Sequence, residues 1–313
     1  MSDGAAAKST LGAGWQPWDA AWQRALYGPD GFYRLPEGPA GHFRTAGHAA
    51  GRALAAALAT LAVRNGCRAV VDIGAGRGEL LTALAEVTPG LGPGDLELHG
   101  VDVVGRPAGL PERIGWSAGL DRLPDAVAHG ALVVAWELLD VVPCPVLEVN
   151  DDGELRVVEV EPRWGRERLS GRPPTQEDLD WCARWWPLPA PEPGERVEVG
   201  HPRDALWAQL VALADDAVLL AVDYGHDCAG RPPTGSLSAF RAGRQVPPVP
   251  DGSCDITCEV AMDAVAAAGE RAAATTLEVT NQAQALAELG CTAAELLDPG
   301  GLGSFAWLLQ RRP

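Results

Sequence analysis

Apolar positions along the chain follow two rhythms. Short unbroken apolar runs at Val70–Ile73, Leu96–Val101, Ala131–Trp136 and Val218–Val222 are bounded by Gly, Pro or Asp, and read as strands buried on both faces. Between them, apolar residues recur at three- and four-residue steps. That spacing predicts helices over Gly51–Arg64 and Glu79–Glu86, with Pro89–Gly94 as the break. Trp15, Trp18, Trp22 and Leu26 keep the same spacing and predict an amphipathic helix ahead of the turn-rich YGPDGFYR. Arg113–Trp116 adds a short third strand. The C-terminal third predicts a helix at Val260–Ala268, a strand at Thr275–Val279, a helix at Gln282–Leu289 and a last strand at Phe305–Leu309. Strand and helix in alternation predict an α/β chain built on a doubly wound, seven-stranded sheet.

The alternation is interrupted once. After the fourth strand come a hairpin (Val146–Val149, the Asp151-Asp152-Gly153 turn, Leu155–Val160), a Trp-rich helix at Gln176–Trp186 and a helix at Pro202–Ala214. Residues 146–214 are too many for an ordinary loop and read as an inserted cap facing the substrate. The expected organisation is therefore a disordered 1–14, an N-terminal helical extension with the first half of the sheet in 15–145, the insertion in 146–214, and the rest of the sheet in 215–313.

The first long strand runs into VVDIGAGRGEL, where Gly74, Gly76 and Gly78 open a helix. Glycines there allow a sharp turn and let a ligand approach bare peptide groups. A dinucleotide loop, G-x-G-x-x-G, would need its third glycine at Glu79, and Asp72 would set a carboxylate where pyrophosphate lies. Asp72 followed by G-x-G-x-G resembles instead the first motif of class I methyltransferases, which bind S-adenosyl-L-methionine (SAM); a glycine-rich turn without a ligand is the plain alternative. On the SAM reading, Gly74, Ala75, Gly76, Arg77 and Gly78 cradle the amino-acid portion. Asp72 either accepts from the ligand's amine or braces the loop. Asp102, ending strand two, either accepts the two ribose hydroxyls or caps a turn. Asp121, after strand three, is placed for the adenine amino group. Glu137 and Asp140 follow strand four at the methyl end, where paired carboxylates would hold a guanidinium; otherwise they occupy a solvated turn.

Composition narrows the partners. The chain has 313 residues, 47% of them hydrophobic, and a formal charge of −17, which repels phosphate backbones and argues against nucleic acid. Lys8 is the only lysine, and with the abundance of Ala, Gly and Pro this points to a high-GC bacterial source. The N-terminus does not read as a signal peptide, and no apolar run reaches membrane-spanning length, so a cytoplasmic protein is expected. Seven scattered cysteines without a C-x-x-C pair read as reduced thiols. His226 and Cys228 with Cys254 and Cys258 lack zinc-ribbon spacing, so no metal is expected.

Seven segments in order resemble the MidA-type SAM-dependent methyltransferases, a family that includes the mitochondrial complex I assembly methyltransferase. They are ALYGPDGFYR, GHFRTAG, DIGAGRGEL, AWELLDVVP, AVDYGH, GSLSAFRAGRQVPPVPDGSCDIT and TNQAQALAELG, and the chain resembles an actinobacterial-like member of that family. The resemblance implies that Phe43 and Thr45 cover the cofactor, that Asp102 binds ribose, and that Glu137 and Asp140 face the acceptor. It also implies that Asp223, Tyr224, His226, Asp255 and Thr257 complete the wall, with Asp223 and His226 in catalytic roles. His42 departs from the family's Asp, Gly47-His48 from its Pro-Glu, and Trp136, beside the cofactor's reactive end, from the Asn of its Asn-Glu pair. The implied function is methylation of a protein or peptide side chain, arginine foremost, by a chain compatible with a homodimer. A silent SAM-binding assembly factor and a small-molecule methyltransferase are the alternatives.

Overall fold

The computed structural model describes residues 14–35, 51–89 and 96–313. Seven strands make the central sheet: β1 (Ala69–Ile73), β2 (Glu97–Val101), β3 (Ile114–Ser117), β4 (Ala131–Trp136), β5 (Ala217–Asp223), β6 (Thr275–Asn281) and β7 (Ala306–Arg312). Their order across the sheet is β6-β7-β5-β4-β1-β2-β3. The five strands from β5 to β3 pair in parallel, whereas β7 runs antiparallel to both β5 and β6.

Alternation along β1 shows how the sheet is covered. Val70 points into a layer with Leu54 and Leu58 of the helix Gly51–Arg64 and Leu81 and Leu84 of the helix Glu79–Val87. Val71 points the other way, into a layer with Trp207 and Leu210 of the helix His201–Leu213 and Val265 of the helix Met262–Arg271. Both residues are fully buried, as expected for a parallel strand covered on two faces. The strand register then lines up the chemistry. Asp72 pairs beside Gly100, and Trp136 beside Val222, so the ends of β1, β2, β4 and β5 open on one edge of the sheet.

A second sheet lies outside this core. Val146–Val149, Leu155–Glu161, Arg166–Leu169 and Arg196–Glu198 form it together with Gln16–Pro17 from the N-terminal segment. The N-terminal helix therefore starts at Trp18, later than the tryptophan spacing predicts: Gln16 and Pro17 are paired with Val160 and Glu159. Trp18, Trp22 and Leu26 are fully buried, packed with Val158, Val160 and Ile256. The helix His201–Leu213, read from sequence as part of the insertion, packs on the central sheet. The helix Met262–Arg271 begins two residues late because Val260 and Ala261 pair with Gly225 and His226. No helix among the described residues is long and apolar enough to cross a membrane.

Candidate active site

A cavity of about 960 Å³ opens where the parallel strands end. Its floor is the turn after β1. Gly74, Gly76 and Gly78 all have positive φ (+76°, +56° and +78°), which an L side chain adopts only under strain. A Cβ on Gly74 would come within 2.8 Å of Leu138, and one on Gly78 within 2.5 Å of Leu110, so these two glycines serve packing. Gly76 differs: its nearest neighbour would be Glu79 Oε2 at 3.8 Å, and its open side is cavity.

The loop's own amides decide what Asp72 does not do. Gly74 and Ala75 N–H donate to Val101 O (2.8 and 3.1 Å), and Gly76 N–H donates to Asp102 Oδ2 at 2.8 Å. Asp72 is 5% exposed, lines the cavity and accepts no hydrogen bond within the described residues. Burial, with the nearby charges of Asp102 and Glu79, pushes its carboxyl up to about 8. Asp102 also accepts from Val104 N–H at 3.1 Å, and each of its oxygens keeps a further lone pair for a ligand. Burial raises this carboxyl as well, and the backbone amides of Gly76, Val104 and Val103 offset part of the rise.

Beside that turn the lining is acidic and aromatic. Trp136 ends β4, and Glu137 after it turns the chain at φ +50° with its N–H on Val222 O. Asp140 accepts from Thr257 Oγ1 at 2.6 Å through Oδ2, while its Oδ1 is enclosed without a donor. Asp255 accepts from Tyr33 Oη at 2.7 Å, and Tyr27 Oη donates to Val141 O at 3.1 Å. Tyr27, Tyr33, Glu137, Asp140 and Asp255 all line the cavity. The Trp136 ring packs edge-on against Trp307 at 6.1 Å, leaving its indole N–H buried without an acceptor.

The structure thus gathers Asp72, Gly74, Ala75, Gly76, Arg77, Asp102, Trp136, Glu137 and Asp140 around one cavity. Gly78 sits behind the loop, and Asp121 is exposed on a 3₁₀ turn while its neighbours Gly119 and Leu120 reach the lining. Asp223 is fully buried beneath the lining and serves the turn from behind, its Oδ2 accepting from Leu139 and Asp140 N–H and its Oδ1 from Tyr224 N–H. Burial, then the charge of Asp140, holds its carboxyl far above the usual range. His226 is likewise not in the lining: Arg231 donates to its Nδ1, and Trp186 packs edge-on at 5.0 Å. Burial, together with Arg231, pushes it down to about 4, which leaves the ring neutral near pH 7. Tyr224 packs on Phe305 with 42% of its surface exposed. Phe43 and Thr45 lie outside the described residues. Sequence reasoning gave Tyr27 and Tyr33 no role, although the paired tyrosines of YGPDGFYR were the available signal.

Arg203 was also unread. Almost wholly buried, it donates to Asp140 O, Val142 O and Glu259 O and to Cys258 Sγ, which lies 3.9 Å from Cys144 Sγ. It clamps the turn carrying Asp140 to the segment carrying Asp255 and Thr257.

The residues present fit SAM on three counts. A buried carboxylate without a donor suits an ammonium, a glycine with an open Cβ position suits close backbone contact, and a strand-end carboxylate suits a diol. Comparisons with known proteins agree. The chain is similar over 96% of its length to an uncharacterized superfamily protein from Burkholderia thailandensis (24% identity, 88% of that chain, TM-score 0.78). A member of that superfamily from the same organism, bound to S-adenosyl-homocysteine (SAH), matches at 25% identity over the same shares, with a TM-score of 0.77. No curated protein matches by sequence. Residues 51–280 match the family Methyltransf_28, described as S-adenosyl-L-methionine-dependent methyltransferases. The chain belongs to that family and is a SAM-dependent methyltransferase.

Proposed function

We propose that the methyl acceptor is a nitrogen of an arginine guanidinium in a protein or peptide. The observation that carries this reading is that Glu137 and Asp255 both line the cavity floored by the glycine turn. Carboxylates in that arrangement match a planar cation with several donors and offer little to a neutral or anionic acceptor. SAM supplies a methyl group activated on a sulfonium. Asp72 would hold its ammonium, the Gly76 backbone its carboxylate end, and Asp102 its ribose hydroxyls, leaving the methyl group toward Trp136 and Glu137. The chain's task is then alignment, since displacement requires the acceptor about 3 Å from the methyl carbon and in line with the breaking bond.

On this reading the enzyme is of the MidA type, and among the described residues the inserted sheet of 146–198 contributes none to the cavity lining. The chain's seven unpaired cysteines suit a reducing compartment such as the cytoplasm. The test has two stages. Calorimetry should detect SAH binding by the full chain. Partners captured by the immobilised protein from a lysate, incubated with isotopically labelled SAM, should then carry methylarginine by mass spectrometry. Label found on a lysine, a carboxylate or a small molecule would overturn the acceptor class.

A further inference from the structure

We propose that Asp255, aligned by the Tyr33 hydroxyl, takes the proton that the acceptor nitrogen loses during methyl transfer. The inference rests on the nitrogen-acceptor reading proposed above and gives one residue a defined task within it. Transfer to nitrogen cannot end without losing a proton. The nitrogen lone pair forms the new bond to carbon, and the carbon–sulfur pair stays on sulfur. An N–H proton leaves while its bonding pair remains on nitrogen. Asp255 accepts that proton through a carboxylate lone pair and returns it to water as product departs.

Geometry singles out Asp255 from its neighbours. Asp140 is already committed: Thr257 donates to one oxygen, and the other is enclosed. Glu137 sits at the strained turn ending β4. Asp255 lines the cavity, and Tyr33 is the side chain that donates to it, at 2.7 Å. Tyr33 is itself fixed, its ring 5.4 Å from Tyr27 and 5.5 Å from Phe32. On the other side, Asp255 belongs to a strand paired through Phe240 and held to the Asp140 turn by Cys258 N–H on Asp140 O. A base pinned from both directions needs little reorganisation when the proton moves.

The titratable groups around it are Tyr33 and Tyr27 from the N-terminal segment, Asp140 and Glu137 from the turn after β4, and the adjacent Cys254. Burial pushes the Asp255 carboxyl up to about 8; the Tyr33 hydrogen bond lowers it, and the charges of Asp140 and Glu137 raise it further. A proton acceptor that titrates near working pH is the efficient kind.

The experiment uses two probes and the full chain: SAH, and sinefungin, in which an amine replaces the methyl-bearing sulfonium. Titration calorimetry in buffers of different ionisation heat counts protons released on binding between pH 6 and 9. Near pH 7, sinefungin should release about one proton more than SAH, because its amine and a protonated Asp255 cannot both keep theirs at close range. D255N should abolish the difference, and Y33F should move its midpoint to higher pH, since the phenol's donation is lost. An unchanged difference in D255N, or an unmoved midpoint in Y33F, overturns the proposal. If D255N melts early, Y33F alone decides. Failure of the wild-type chain to bind SAH would be a different result, and would sink the placement of the cofactor instead.

Discussion

Asp223 carries the turn on which Asp140 is mounted: its Oδ2 accepts from the N–H groups of Leu139 and Asp140, at 2.8 and 3.2 Å. Its Oδ1 takes Tyr224 N–H at 3.0 Å. One fully buried carboxyl thus satisfies three backbone donors where β4 and β5 end side by side. The D223A variant strands those donors away from water. It should lose about 3–5 kcal/mol of unfolding free energy, measured by urea titration, and an intact transition midpoint would contradict the buttress role.

Gly76 and Gly78 should respond differently to alanine, although both have positive φ. In G76A the added Cβ meets open cavity, so the fold should lose only about 1–2 kcal/mol from backbone strain while SAH binding weakens at least about tenfold. In G78A the Cβ would lie 2.5 Å from Leu110 Cδ1, so the loss should fall on thermal stability, with the added strain of displacing Leu110. Calorimetry and thermal melts on the two variants separate a ligand-facing glycine from a packing one.

Cofactor affinity should depend on pH through Asp72. Its carboxyl is pushed up to about 8, by burial first, and must ionise to pair with the ligand's ammonium. SAH binding should therefore be about tenfold or more weaker at pH 6 than at pH 8. The D72N variant should bind weakly and with a flat profile over that range. A wild-type profile equally flat would remove Asp72 from the ammonium's side.

Stability of the free chain should run in the opposite direction. Asp72 and Asp255 are raised to about 8 and Asp204 to about 6, in each case by burial first. The folded chain keeps these protons above about pH 4, where an unfolded aspartate has lost its own. Stability from this source is whole below that pH and falls as pH rises through 6 and 8. The melting midpoint should drop between pH 5 and pH 9, and D72N should reduce the drop.

The sheet was legible in the sequence because a strand covered on both faces leaves an unbroken apolar run, and β1, β4 and β5 are such runs. The glycine turn was legible because its geometry demands a residue type. The second sheet was only half legible. Its Arg166–Leu169 strand, RERL, is exposed throughout and carries no alternation. The separate three-stranded sheet of Ser238–Arg241, Arg244–Val246 and Asp255–Thr257 was not legible either: its hairpin has one buried residue, Ala239. The site's acidic lining was the least legible part. Tyr33 and Asp255 meet across 222 positions, and no local pattern encodes a contact at that range. Asp223 and His226 share a motif beside the site, yet a motif records position along the chain and not which side chains reach the cavity.

The backbone at Glu137 carries one more consequence. An L residue held at φ +50° costs about 1–2 kcal/mol that glycine would not. At this position a mutation toward easier folding and a mutation toward weaker chemistry are the same mutation, E137G. Selection of the chain for heat resistance alone should therefore favour glycine there, at the cost of a carboxylate in the cavity lining and with weaker methyl transfer as the expected loss. Selection that retains turnover should keep the strained carboxylate.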